Sequence, residues 1–361
     1  MLYWLANQLV PYFSGFNLFT YVSSRAMFAA LTAFFIGLYA GPAFIRRLRR
    51  KDIGQQVRDD GPQSHLEKSG TPTMGGVLII AAWFIAALLW ADLSNPYLWL
   101  VLLTTAAFAG IGWIDDSRKV YQKNTKGLSM RAKLALQSLL ALVALTIIWQ
   151  ADLINGATEI TIPYWKATAL SLGVVGFFVF GYLTLVGASN AVNLTDGLDG
   201  LAILPAVMIS GGLGVYAYIS GHTFFSDYVG VVYIPGIHEL VIFCAALIGA
   251  GLAFLWFNAY PAEIFMGDVG SLAIGAALGL VAVLVRQEII FALMSGVFVM
   301  EAVSVILQVF SYKTTGRRVL LMAPLHHHFE LRGWKENQVV VRFWIITFIL
   351  VLVGLAGLKI R

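Results

Sequence analysis

Charge is scarce in this chain. Only 12% of its 361 residues are Asp, Glu, Lys or Arg, against 59% hydrophobic ones. A mean hydropathy of +0.80 excludes the two or three soluble domains that length alone would suggest. Uncharged runs of bilayer-spanning length recur instead, so the chain is read as an all-α, polytopic integral membrane protein. Cysteine is nearly absent too. Cys244 stands alone, so no intrachain disulfide can form, the redox compartment is unreadable, and the residue reads as a small core hydrophobe. Residues 1–24 contain no lysine or arginine and no small-residue cleavage pattern, which argues against a secretory signal peptide. Tyr3, Trp4, Tyr12, Phe13, Phe16 and Tyr21 instead suggest an interfacial aromatic segment. No loop is long enough for an independent domain and no internal repeat is found, which leaves one transmembrane domain over residues 1–361.

Hydropathy predicts about ten spans, over residues 26–45, 73–91, 97–114, 134–151, 168–189, 200–218, 239–257, 270–285, 290–311 and 339–358. Nineteen of the 24 basic residues fall in the segments 46–72, 115–133 and 313–342, after spans one, three and nine. By parity these segments share one face. The excess of Lys and Arg assigns that face to the cytoplasm and both termini to the periplasmic side. The net charge of +5 is then a matter of topology and requires no nucleic acid.

Two connections on the same face lack basic residues altogether and carry acids. Asp196 and Asp199 follow the fifth span, Glu263 and Asp268 follow the seventh, and Asp115 with Asp116 opens the connection after the third. The most polar stretch is NAVNLTDGLDG at 190–200, with Asn190 and Asn193 ahead of its two aspartates. Alone it reads equally as a loop that turns the chain. Three acidic clusters on one face are harder to explain as capping, and their repulsion calls for a cation. Separated carboxylates, few per loop, suit a hard ion such as Mg²⁺ that leaves positions for phosphate and water. Neighbouring helical residues point about 100° apart, so Asp115 and Asp116 are not expected to face one ligand equally. Asp196 and Asp199 would share a face if the next helix began at the DGLDG turn.

Helix N-termini at this face favour anions. Two stretches fit such starts: 70–76, with a threonine cap and an early proline, and FMGDVGS at 265–271, although ordinary capping and close packing explain the first as well. His326, His327 and His328 are consecutive. Consecutive imidazoles share a tetrahedral zinc site poorly and no cysteine supports one, whereas imidazoles hydrogen-bond phosphates well. Lys68, Lys119, Lys126, Arg131 and Lys133 supply cations near the acids or simply decorate the membrane surface. One acid, Glu301, lies inside a span with Ser304 and Gln308 on the same face, as a functional group or as a brace for a bent helix.

In combination, Asp115-Asp116 with Lys119, NAVNLTDGLDG, FLWFN at 254–258, FMGDVGSL at 265–272 and HHHFE at 326–330 resemble the polyprenyl-phosphate N-acetylhexosamine-1-phosphate transferases. The resemblance runs from Gly70 past the last span, and the histidine trio favours the muramoyl branch over the N-acetylglucosamine branch. It implies transfer of phospho-MurNAc-pentapeptide from UDP-MurNAc-pentapeptide to undecaprenyl phosphate, giving lipid I and UMP, with Mg²⁺, at the cytoplasmic face of the bacterial inner membrane. It implies Asp268 as the magnesium ligand and Asp115 and Asp116 as the acids nearest the reacting phosphate. Lys68, Asn193, Asp196, Asp199, Asn258 and Phe265 would form the nucleotide pocket, and His326, His327 and His328 would meet phosphate or sugar. Asn190, Lys119, Lys126 and Lys133 are grouped with the substrate-binding residues. A homodimer is an expectation on which the sequence is silent. The rivals are a sister transferase using UDP-GlcNAc and an ion-coupled transporter, which would place its acids at mid-membrane in broken helices.

Overall fold

The computed structural model describes residues 1–51, 70–121, 127–154, 156–164 and 170–358. Its elements in chain order are α1 (Leu2–Leu9), α2 (Val22–Arg50), α3 (Gly76–Trp90), α4 (Pro96–Tyr121), α5 (Met130–Gln150), the strands β1 (Glu159–Ile160) and β2 (Leu170–Ser171), α6 (Gly173–Thr195), α7 (Ile203–Ser220), α8 (Thr223–Val229), α9 (Leu240–Asn258), α10 (Gly267–Leu284), α11 (Glu288–Met294), α12 (Gly296–Thr315), α13 (Leu325–Leu331) and α14 (Glu336–Ala356). Among the described residues nine helices are long and apolar enough to cross a membrane, and the apolar α3 is shorter. Together they account for the ten expected spans.

The bundle is arranged around α10. Every residue from Val269 to Leu284 is buried, and α10 packs chiefly on α6 and α4. Helices approach this closely in lipid only where small residues face each other. A Cβ on Gly279 would lie 2.7 Å from the Thr184 carbonyl oxygen of α6. Around this centre α2, α5, α12 and α14 keep apolar side chains such as Leu31, Leu139, Ile306 and Ile349 exposed, as lipid-facing helices must. Trp4, Tyr12 and Phe13 of the N-terminal segment also remain exposed, in keeping with an interfacial position. β1 and β2 pair antiparallel with Glu159 opposite Ser171.

Several boundaries differ from the hydropathy reading, for local reasons. The basic run after the first span stays helical to Arg50, since arginine is a good helix former. The ninth span divides at Ser295 into α11 and α12. The helix after Gly70 begins only at Gly76, without a side-chain cap. Residues 72–76 instead hydrogen-bond along Phe265 and Met266, with Phe265 N donating to Pro72 O (2.8 Å), Gly75 N to Phe265 O (2.8 Å) and Gly76 N to Met266 O (2.8 Å). Two sequence-distant stretches thereby become one backbone-paired unit beside the start of α10.

The polar stretch 190–200 also divides. Asn190 to Thr195 complete α6, and the chain leaves the helix at Asp196. The next helix starts at Ile203, so Asp196 and Asp199 lie in a turn and do not share a helix face. Gly200 closes that turn at φ +74°, a region costly for other residues. The turn is held by its own small core: Leu198 and Leu201 pack with Val339, Val340 and Phe343 of α14 and Val297 of α12. Trp344 Nε1 donates to Gly200 O at 3.2 Å.

Candidate active site

Three carboxylates from two helices meet in a small volume. Asp115 and Asp116 lie in the last turns of α4, which continues to Tyr121, and Asp268 lies in the first turn of α10. Each offers an oxygen within 4.8 Å of the others. The helices can come this close because position 112 is glycine: any Cβ there would strike the Asp268 backbone. Asp115 and Asp116 are only 1% and 4% exposed.

Each carboxylate has one oxygen fixed by the protein and one turned toward a common centre. Asp268 Oδ1 accepts from Asn193 Nδ2 at 2.8 Å. Asp115 Oδ1 accepts from the Leu128 backbone N–H at 2.7 Å. Asp116 Oδ2 accepts from the Val269 N–H, one of the free donors at the start of α10, at 3.2 Å. The remaining oxygens converge on Lys119 Nζ, which lies 2.5 Å from Asp115 Oδ2, 3.7 Å from Asp116 Oδ1 and 3.3 Å from Asp268 Oδ2. Lys133 Nζ approaches from α5, 2.5 Å from Asp268 Oδ2 and 3.2 Å from Asp115 Oδ2. Asp115 and Asp116 both turn an oxygen toward Lys119, at the unequal distances of 2.5 and 3.7 Å, and the 100° between them is taken up by Leu128 on one side and Val269 on the other.

Two ammonium groups face three carboxylates, and the Asp196 carboxyl stands beside them. Burial pushes the Asp196 carboxyl up to about 8, reinforced by repulsion from Asp268, Asp116 and Asp199. Buried carboxylates this close repel one another, and protons, as at Asp196, or a bound cation relieve that repulsion. The donor set, carboxylates without cysteine or histidine, fits a hard divalent ion and not zinc.

The other predicted residues distribute around this centre with different duties. Asn193 also donates to Ser271 Oγ at 2.8 Å. Asn190, one turn earlier, donates to Gln137 Oε1 and to Val186 O, both at 2.8 Å, and so ties α6 to α5. Asn258 spends both ends of its amide on backbone: Oδ1 accepts from Gly200 N (3.1 Å) and Nδ2 donates to Ile264 O (2.8 Å). Asp199 Oδ2 accepts from Ala262 N at 3.0 Å. These two residues lock the DGLDG turn to the loop before α10. Phe265, in that loop, is half-buried. Lys68 and Lys126 lie outside the described residues.

The histidines point three ways. His326 Nδ1 is 3.2 Å from Glu301 Oε2, His327 Nδ1 is 2.8 Å from Glu330 Oε2, and His328 Nδ1 accepts from Leu321 N at 3.1 Å. Each imidazole thus has a different neighbour. The intramembrane acid Glu301 is therefore a histidine partner. Gln137, Ser271 and Glu336, whose Oε1 accepts from Asp199 N at 3.0 Å, went unnoticed in the sequence. Ser271 had a signal, lying three residues after Asp268 on one helix face, and Gln137 sits four after Lys133 in a largely apolar run.

Fold and site together define a multi-pass membrane protein with a buried carboxylate centre suited to a divalent cation and flanked by lysines suited to phosphate. Residues 98–286, more than half of the chain, match glycosyl transferase family 4, and residues 68–80 match the phospho-N-acetylmuramoyl-pentapeptide-transferase signature 1. The chain belongs to glycosyl transferase family 4, among the polyprenyl-phosphate hexosamine-1-phosphate transferases. The signature supports phospho-MurNAc-pentapeptide transfer as its activity, the first membrane step of peptidoglycan synthesis. The two matched regions meet where residues 72–76 pair with Phe265 and Met266.

Proposed function

We propose that this protein, as one transferase unit over residues 1–361, moves phospho-MurNAc-pentapeptide from UDP-MurNAc-pentapeptide to undecaprenyl phosphate with Mg²⁺, at the cytoplasmic face of the bacterial inner membrane. The observation that carries the reading is the convergence of Asp115, Asp116 and Asp268 on Lys119, with Lys133 alongside. A lipid phosphate oxygen attacks the β-phosphorus of the nucleotide sugar, the bond from that phosphorus to the bridging oxygen breaks, and UMP leaves with the bridging oxygen. Lipid I is the product.

Both reactants are anions, so positioning and charge neutralisation dominate the chemistry. The inward oxygens of Asp268, Asp115 and Asp116 are the groups that would hold magnesium, which when bound draws charge from the pyrophosphate oxygens. Lys119 and Lys133 can turn from the carboxylates to the phosphates, and Asp115 or Asp116 can orient or deprotonate the attacking monoester. The turn carrying Asp196 and the half-buried Phe265 border the centre from the side suited to the nucleotide, where an aromatic face can stack on uracil. A groove of about 720 Å³ along α12 is lined by Val305, Val309, Leu321 and Met322 with Lys313 and Arg318, a surface suited to a polyprenyl phosphate. A homodimer is compatible with the lipid-exposed helices.

Purified protein incubated with UDP-MurNAc-pentapeptide, undecaprenyl phosphate and Mg²⁺ should release UMP and form lipid I. UDP-GlcNAc should neither substitute nor compete. Turnover of UDP-GlcNAc in place of the muramoyl substrate would transfer the assignment to the sister branch.

A further inference from the structure

Glu301 and His326 form a buried pair that the proposed chemistry does not use. Both are fully buried, on α12 and α13 respectively. Glu301 Oε1 accepts from the His326 backbone N–H at 3.1 Å, and Oε2 lies 3.2 Å from the same residue's Nδ1. The carboxylate therefore holds the His326 backbone and sets its second oxygen against the ring at ion-pair distance, where neither Oε2 nor Nδ1 completes a hydrogen bond. The opposite ring nitrogen, Nε2, is buried and has no hydrogen-bond partner among the described residues. It faces the turn beside Asp196: a Cβ built on Gly197 would lie 2.5 Å from it. Buried imidazole nitrogens without partners are uncommon, and a carboxylate that bonds the His326 backbone and faces Nδ1 favours the ring orientation that turns Nε2 toward Gly197.

We propose that Glu301 is a positioning residue for the transferase reaction: it fixes the ring of His326 so that Nε2 is presented across Gly197 to the sugar-phosphate portion of the bound substrate. This rests on the function proposed above. The bare hydrogen at Gly197 makes room for the ring, and Glu301, although inside a membrane-spanning helix, acts through His326. His327, whose ring centroid is 4.2 Å from that of His326, is held separately by Glu330 and is not part of the device.

The test uses the full-length protein and follows UMP release from UDP-MurNAc-pentapeptide and undecaprenyl phosphate. The wild type must be active, which checks the proposed function independently. Glu301→Leu should lower kcat by about 100-fold, the loss typical of a reacting group displaced by about an ångström, with KM for both substrates changed less than about threefold. Glu301→Gln keeps an acceptor for Nδ1 and should recover kcat to within about tenfold of wild type. In a His326→Asn background, Glu301→Leu should add no further loss, as coupled residues require. Should Glu301→Leu fail to fold, Gly197→Ala gives a second route: its Cβ displaces the ring without touching Glu301, and it should reproduce the kcat loss and be silent in the His326→Asn background. Losses that multiply in the double variants, or wild-type kcat in Glu301→Leu or in Gly197→Ala, would overturn the proposal.

Discussion

Asn193 on α6 donates its one amide group both to Asp268 Oδ1 and to Ser271 Oγ, each at 2.8 Å. The bond to Ser271 steadies the amide and the bond to Oδ1 pins one carboxylate oxygen, which leaves Asp268 Oδ2 to face Lys119, Lys133 and the other carboxylates. Asn193→Ala should free the carboxylate to rotate and weaken the apparent Mg²⁺ affinity by about 10- to 100-fold, the usual effect of losing an outer partner of a ligand. A Mg²⁺ titration of UMP release would show it, and near-normal turnover should return at saturating metal.

Asp268→Asn keeps shape and the Asn193 contact but removes the charge. Turnover should fall by at least about 100-fold at every Mg²⁺ concentration, while melting in detergent stays within a few degrees of wild type. Normal turnover at limiting Mg²⁺ would falsify the ligand role.

Asp196 gives a pH dependence with a definite sign. Its carboxyl titrates near 8 in the folded protein and near 4 when unfolded, so between those values the unfolded chain binds fewer protons and stability falls as pH rises. Asp196→Asn removes that decline. In chelator-treated protein the variant should melt with the wild type below about pH 4 and above it at pH 8 and beyond. Added Mg²⁺ should narrow the gap, and a variant that melts lower at pH 8 would contradict the origin given for the shift.

The reaction can be direct or can pass through a phospho-aspartate. Without lipid, a covalent route through Asp115 or Asp116 releases about one UMP per site and exchanges labelled UMP into substrate. Direct transfer is expected here, since a phosphate monoester with a second pKa of about 6 is already a competent nucleophile. Protein stripped of undecaprenyl phosphate should therefore be silent until lipid is added. Stoichiometric release that is lost in Asp115→Asn or in Asp116→Asn would establish the covalent route instead.

Basic residues concentrate in the segments 46–72, 115–133 and 313–342, a pattern that predicts a cytoplasmic position for them. A periplasmic reporter fused to the C-terminus should be active and a cytoplasm-only reporter silent. The reverse would place the carboxylate centre on the other side of the membrane.

By itself the sequence determined the helical membrane class, the run of ten apolar segments and the acids, because bilayer-length hydropathy and charged residues flanking it are local properties. Asp115, Asp116 and Asp268 stood out as exceptions in an apolar chain, and the FMGD start of α10 was legible from its glycines. Tertiary structure alone decided how those acids act. Which oxygen of each carboxylate faces inward depends on Asn193, Leu128 and Val269, three donors from different parts of the chain. That Asn258 latches two loops, that residues 72–76 pair with Phe265 and Met266, and that Glu301 belongs to His326 follow from contacts between elements far apart in sequence. Hydropathy carries no information about such contacts, since the same apolar helices could be packed in other orders. Small residues at positions such as Gly112 and Gly279 select the one that brings α4 and α6 against α10 and so gathers the carboxylates.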